Sequence, residues 1–269
     1  MRDTPPFIKP KRRREAPPFW FDNIKQSIVF RENIKMTAIA PPPTKQQAKP
    51  EDLRSQPIST DQWITATWDE FVQILENPLY AESRCYYDKN QIRQMRIETM
   101  PVGSEHADDN TLIIFAISLY CTLKAIPARG LTNCSYVKTG IQGCQPDISY
   151  YIGEIAALAP RSSSIVSLDE SPAPNLVIEI SSSTISDDLG KKRLLYEQLG
   201  TSEYWVVDVQ AVKIIALEML ENGGSRQITA SKLLGGLAIA DLEEALKLSR
   251  EKSQSEVGVW ILQKYSHHQ

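Results

Sequence analysis

The chain has 269 residues, 30 Lys+Arg against 33 Asp+Glu for a net charge of -3, and 42% hydrophobic residues. At roughly 150 residues per domain this allows one large domain, or one domain with tails, of ordinary globular composition. The near-neutral balance excludes a chain-wide basic field. Four cysteines (Cys85, Cys121, Cys134, Cys144), none in CxxC or Cys/His spacing, exclude a zinc ribbon or a dense disulfide scaffold.

Residues 1–60 carry Pro5, Pro6, Pro10, Pro17 and Pro18, the run Lys11-Arg12-Arg13-Arg14 and the linker-like APPPTKQQAKP of 40–50. Such composition buries too little apolar surface to offset ordering entropy, so a disordered tail is expected there. Up to Lys35 the net charge is +5, and from Met36 onward it is -8. The tail therefore reads either as a basic arm for nucleic acid or as an extension preceding a true start at Met36. The expected organisation is the tail 1–60, one α/β domain over 61–220 and a C-terminal helical extension over 221–269.

In chain order, Thr67-x-x-Glu70 is a capping box opening a helix with Phe71, Ile74 and Leu75 at helical spacing. A hairpin follows, Arg84–Tyr87 and Ile92–Thr99 about a turn at Asp88-Lys89-Asn90. A helix is expected from Glu105 to Lys124, apolar nearly all round and hence buried. Its apolar run, Thr111 to Leu123, is about 13 residues, short of the ~20 of a membrane span. The N-terminus lacks a signal peptide's apolar stretch, so the expected location is cytoplasmic. Strands are expected at Cys134–Lys138, Gln145–Tyr151 and Asn175–Ser181, with a polar loop through Ser162–Ser171. A helix Asp187–Leu199 should end at Gly200, followed by strands Glu203–Val209 and Val212–Leu217 and helices Ile239–Arg250 and Gln254–Tyr265. This is an α/β fold with a C-terminal helical appendage.

Three ionisable residues sit where burial is expected, and a buried charge needs a partner or a metal. Alternation in Leu176-Val177-Ile178-Glu179-Ile180 puts Glu179 on the face opposite Leu176, Ile178 and Ile180. A solvated face or an Arg partner would explain it blandly. Asp147, opposite Ile148, Tyr150 and Ile152, could be an ordinary strand-start Asp after Pro146. At 100° per residue Lys192 shares a stripe with Leu195, Tyr196 and Leu199, whereas Lys191 and Arg193 lie to either side. Its bland reading is an apolar stem that snorkels to an edge.

Taken together they place two carboxylates on neighbouring strands and an ammonium pointing inward from the next helix. Paired carboxylates can hold Mg²⁺, which prefers oxygen ligands. A bound metal eases deprotonation of water and stabilises charge on a phosphate, and a nearby ammonium assists. The chemistry indicated is phosphodiester hydrolysis. A three-histidine metal site is excluded, since His267 and His268 stand at the extreme C-terminus and only His106 lies elsewhere.

The stretches Gln145-Pro146-Asp147-Ile148-Ser149-Tyr150 and Asn175-Leu176-Val177-Ile178-Glu179-Ile180-Ser181 resemble the PD-(D/E)XK nuclease pattern. With Asp187-Asp188-Leu189-Gly190-Lys191-Lys192-Arg193-Leu194-Leu195-Tyr196 and Glu203-Tyr204-Trp205-Val206-Val207-Asp208, the chain resembles one branch, the Uma two family of bacterial restriction endonucleases, over Trp68 to Leu217. The resemblance implies a restriction-endonuclease-like core, a small mixed sheet flanked by helices, with Mg²⁺ (or Mn²⁺) as cofactor and DNA as substrate; a homodimer is left open. It matches the family's Asp to Asp147, its Glu to Glu179, its helical Lys to Lys192 and its first-helix His to His106, with the carbonyl of Ile180 joining Asp147 and Glu179 on the metal. One departure from the wider pattern is Ser181, where (D/E)-X-K places Lys; the stripe argument independently moves that role to Lys192. His106 shares a stripe with Asn110, Ile113 and Ile117, so a helix-end histidine packed for structure remains its alternative. Phosphate contacts are expected from Lys191, Arg193 and Lys138. The rival reading is a nuclease fold, catalytically weak or inactive, used to bind nucleic acid or protein. A carbohydrate or small-phosphoester hydrolase would need a deep pocket.

Overall fold

The structure, a computed structural model, describes residues 58–99 and 101–266, which fall in one compact unit. All but the last three residues of the expected tail, Met36 included, lie outside the described residues, as do His267 and His268. The fold is mixed α/β, with two six-stranded sheets and helices on their outer faces.

The first sheet has the order β1 (Trp63–Thr65), β3 (Gln94–Glu98), β2 (Arg84–Asp88), β6 (Gln142–Cys144), β5 (Tyr136–Lys138), β8 (Val166–Ser167). Only its β5–β8 pair is parallel. Strand β8 lies within the stretch expected as a polar loop, and β1 precedes the first expected element, the helix opened by Thr67. Both are short, below the length at which alternation in sequence is readable. The hairpin β2–β3 forms as expected, with Tyr87 opposite Met95. Its turn runs further than Asn90 because Asp88 accepts the backbone N–H groups of Gln91 and Ile92 at 2.8 and 2.7 Å.

Helix α1 (Trp68–Leu75) starts at the expected capping box, with Thr67 N–H donating to Glu70 at 2.6 Å and Thr67 accepting from Glu70 N–H. Its buried Phe71 and Ile74 cover the outer face of the first sheet, against Cys85, Tyr87, Met95 and Ile97. Phe71 lies directly over Gly143, where a Cβ would run into its ring.

The second sheet has the order β12 (Ser225–Gln227), β11 (Lys213–Met219), β10 (Glu203–Asp208), β9 (Leu176–Ser181), β7 (Ile148–Ile152), β4 (Ala128–Thr132). Strands β9 and β10 are parallel, so the chain between them must cross over, and it does so through a helix. The helical path begins with a turn Ile185–Asp187, passes through a wide π-type segment Asp188–Lys192, and ends as α3 (Arg193–Leu199) at Gly200, φ +85°. The regular helix expected over Asp187–Leu199 is thus interrupted in its first half, a distortion that clusters at functional positions.

Between the sheets, Tyr86, Tyr136 and Cys144 of the first meet Tyr151, Val177, Tyr204 and Val206 of the second, together with Leu195 and Tyr196 of α3. The other face of the second sheet, with Ile148, Tyr150, Leu176, Ile178 and Ile180, packs on helix α2 (Ser104–Leu123). Helix α2 is not buried all round: Thr111, Phe115, Ser118 and Thr122 form an exposed stripe. Helices α4 (Ile239–Ser249) and α5 (Gln254–Ser266) contribute Leu242, Leu246, Val257 and Ile261 to the same core. Asp109, fully buried on α2, takes a bidentate Arg250 from the end of α4 at 2.5 and 2.7 Å. Residues 221–266 accordingly contribute to the core, and besides their helices they hold β12 and the small pair β13 (Ala230–Ser231) and β14 (Leu237–Ala238).

Candidate active site

The three ionisable residues expected at buried positions meet at one end of the inter-sheet layer. Asp147 precedes β7, and the register Ile148 opposite Ile178 carries on to set Asp147 beside Glu179 of β9. The two are bonded crosswise. Ile180 N–H donates to Asp147 Oδ2 at 2.8 Å, and Asp147 N–H to Glu179 Oε2 at 3.3 Å. Glu179 lies on the inter-sheet face, as the alternation indicated, and Tyr196 donates its hydroxyl to Glu179 Oε1 at 2.6 Å.

Lys192 ends the π-type segment, with only 3% of its surface exposed. Its Nζ stands 2.9 Å from Glu98, 3.1 Å from Asp188 and 3.8 Å from Glu179, and 4.4 Å from the centre of the Tyr86 ring. The stem does not snorkel; the charge itself is inside. His106, in the first turn of α2, brings Nε2 within 3.1 Å of Asp147 Oδ1. The four sequence-predicted side chains, with Ile180, therefore line a single open cleft of about 220 Å³.

Lys191 and Arg193 do not face it. Lys191 donates to Gln94 at 2.7 Å and lies over the Trp63 ring, while Arg193 reaches Leu189, Ser225 and Glu197. The hundred degrees separating each from Lys192 aims them at the neighbouring strand β3 and at β12. Lys138 is exposed at the end of β5 and is not among the cleft's lining residues. The cations of the cleft are Arg84, Arg96 and Lys192.

Several members were not singled out in the sequence. Arg84 pairs with Asp147 Oδ1 at 2.5 Å, and Glu98 bridges Lys192 and Arg96 at 2.9 Å each. Both stand at strand ends, where a charged residue is ordinary and sends no signal. Asp188 was legible in principle, because it lies four residues before Lys192, the spacing of a helical ion pair. Tyr196 was placed on the Lys192 stripe as a packing residue, yet its hydroxyl is what orients Glu179.

The electrostatics follow from burial and charge. Burial pushes the Asp147 carboxyl up, but the His106 hydrogen bond, the Arg84 charge and the Ile180 N–H outweigh it and hold it well below the usual carboxylate range. Burial drives Glu179 the other way, far above 4.5; Lys192 opposes this and the charges of Asp147 and Asp188 add to it. Burial would lower Lys192, but Glu179, Glu98 and Asp188 crowd around it and keep it an ammonium, well above 10.5. Glu98 is pushed up by burial and pulled down further by Lys192 and Arg96, to a net lowering.

Six carboxylates (Asp61, Glu82, Glu98, Asp147, Glu179, Asp188) line the cleft against three permanent cations. Among the described residues no group of three or more His, Cys, Asp or Glu side chains is arranged to hold a metal. The oxygen set of Asp147, Glu179 and a backbone carbonyl nevertheless suits a hard divalent cation that keeps several waters. Ser181 C=O is turned toward β10, where it accepts Val209 N–H. Ile180 turns the opposite way, its N–H on Asp147, and in a strand N–H and C=O of one residue share a side, so its carbonyl faces Asp147. The acidic excess and the donor chemistry fit such a cation.

The family model described as "Uma2: Putative restriction endonuclease" matches residues 68–251, a span that holds every residue named above in the cleft except Asp61 and that runs past 220 through α4. A crystal structure of "a putative nuclease belonging to DUF820" from Anabaena variabilis ATCC 29413 is similar at a TM-score of 0.48 and 21% identity, covering 67% of this chain and 99% of that one. No curated protein matches the sequence.

Proposed function

The chain belongs to the Uma2 family, and from that premise we propose that it is a metal-dependent nuclease of PD-(D/E)XK type, an endonuclease that hydrolyses phosphodiester bonds in DNA. The observation that carries this reading is the convergence of Asp147, Glu179 and a buried ammonium, Lys192, in one open cleft. Asp147, Glu179 and the Ile180 carbonyl would hold Mg²⁺ or Mn²⁺. When bound, the ion supplies an acidified water and offsets charge on the scissile phosphate.

The chain's own residues do the rest. Ile180 N–H and Tyr196 hydroxyl hold the two carboxylates in fixed orientation. Lys192, anchored by Glu98 and Asp188, orients the attacking water and meets the negative charge that develops on phosphate oxygens, at a position where water is largely excluded. His106 holds Asp147 from the rim of the cleft. The cleft opens to solvent and is not an enclosed cavity, which suits a polymer strand better than an enclosed sugar.

One observation favours the rival, a nuclease fold used as a binding module: Arg84 and Lys192 already stand as cations against both carboxylates within the protein. Plasmid DNA incubated with the protein, with and without Mg²⁺ or Mn²⁺, separates the two. Metal-dependent nicking or linearisation, lost in Glu179→Gln and Asp147→Asn, supports the nuclease. Retarded but intact DNA under every metal condition supports the module.

A further inference from the structure

A carboxylate offers about four acceptor directions, two on each oxygen. On Asp147 three are taken. Arg84 at 2.5 Å and His106 at 3.1 Å occupy Oδ1, and the Ile180 N–H at 2.8 Å occupies one side of Oδ2. Arg84 is itself aimed, because a second guanidinium nitrogen donates to Asn133 Oδ1 at 2.8 Å, and Asn133 N–H donates to the Asp147 carbonyl at 3.0 Å. The pair ties the start of β2, in the first sheet, to the start of β7, in the second, across the mouth of the cleft. Among the described residues Arg84 forms no other ion pair, and about a fifth of its side chain meets solvent.

We propose that Arg84 serves the site in two states: as the counter-ion of Asp147 while no metal is bound, and, once a divalent cation displaces it, as a ligand for the substrate's phosphate. This rests on the reading of the cleft as a metal-dependent nuclease site. A divalent cation on the remaining direction of Asp147 Oδ2 stands within a few ångströms of the Arg84 guanidinium on Oδ1, and a guanidinium, which cannot shed its proton, cannot relieve that repulsion by neutralising. It has to move. The Asn133 contact keeps it at the mouth of the cleft when it does, and its planar fork matches two oxygens of a phosphodiester. The contact that protects the buried carboxylate therefore also sets how much metal is needed to open the site. Removing Arg84 acts in opposite directions on the two ligands, which a merely structural residue would not do.

The test uses the full chain, with Mn²⁺ affinity measured by titration calorimetry and affinity for a short fluorescent DNA duplex measured by anisotropy in Ca²⁺. Arg84→Met is expected to bind Mn²⁺ about tenfold more tightly or better, the scale of one charge-assisted hydrogen bond removed from competition, and to bind the duplex more weakly. Arg84→Lys, which keeps the charge and loses the fork, shifts both in the same directions by less, and stands in if the methionine variant does not fold. Unchanged or weaker Mn²⁺ affinity in the variants, with metal bound by the wild type, overturns the counter-ion role and leaves the nuclease reading standing. Undiminished duplex affinity overturns the phosphate role. Failure of Mn²⁺ to bind wild type and variants alike overturns this proposal and the metal-dependent reading together.

Discussion

Lys192→Met deletes an ammonium while keeping its apolar stem, and the geometry sets the cost. The ion stands 2.9, 3.1 and 3.8 Å from Glu98, Asp188 and Glu179, all poorly solvated. At an effective dielectric of 20 each contact near 3 Å is worth about 5 kcal/mol of gross attraction, most of it offset by desolvation. Removing one partner of a buried pair leaves charge uncompensated and costs about 3–5 kcal/mol net. In a domain of this size that is a fall of roughly 10 °C or more in melting temperature. Lys191→Met, which loses one hydrogen bond to Gln94 and a stacking contact on Trp63, is expected to cost about 1 kcal/mol or less. The difference has a definite pH dependence. In the wild type the Glu98 pKa is lowered from 4.5, so its contribution is present above 4.5 and is lost as pH falls through the folded value. Without Lys192 the main lowering influence is gone, Glu98 takes a proton readily, and the gap between variant and wild type narrows below pH 4.5. Urea denaturation of wild type and both variants at pH 7 and pH 4 measures all of this, and cleavage assayed well below both midpoints should fall by orders of magnitude for Lys192→Met alone. Equal destabilisation by the two substitutions, or a gap that widens on acidification, would refute the reasoning.

Further outcomes follow from other contacts. Mg²⁺ or Mn²⁺ should raise the melting temperature of the wild type, since two adjacent carboxylates gain a cation, and Glu179→Gln and Asp147→Asn should abolish that rise; a metal-induced shift that persists in both rules out this position. Arg250→Ala strands the fully buried Asp109 and should cost about 2–4 kcal/mol, less than a wholly buried pair because Arg250 is one-third exposed; chemical denaturation checks it, and a loss under 1 kcal/mol would show that α4 holds without this clamp. Gly143→Ala drives a methyl into the Phe71 ring and should destabilise by about 1–3 kcal/mol, a cost that Phe71→Leu in the same background should partly relieve.

The local patterns in the sequence determined much of this protein. The Thr67 capping box, the β2–β3 hairpin, the ends of α2 and α4 and the Gly200 terminus all depend on residues within a few positions of one another. So does the inward aim of Lys192, because its spacing to Leu195, Tyr196 and Leu199 runs forward through the regular turns of α3. Alternation likewise put Glu179 opposite Leu176, Ile178 and Ile180. What those side chains meet depends on which strands become neighbours, and no short-range pattern carries that. Arg84 finds Asp147 only because the mouths of the two sheets coincide, 63 positions apart in the chain. Glu98 was an unremarked strand end until Lys192 arrived from the crossover. The same long-range packing turned Lys191 onto Trp63 and Arg193 onto Ser225, away from the cleft. Helices α4 and α5 were legible as helices, but their membership of the core was not, because an amphipathic stripe says that a face is covered and not by what. Tertiary structure decided the partners, since the energy of a buried charge is fixed by its neighbours in space and not by its neighbours in sequence.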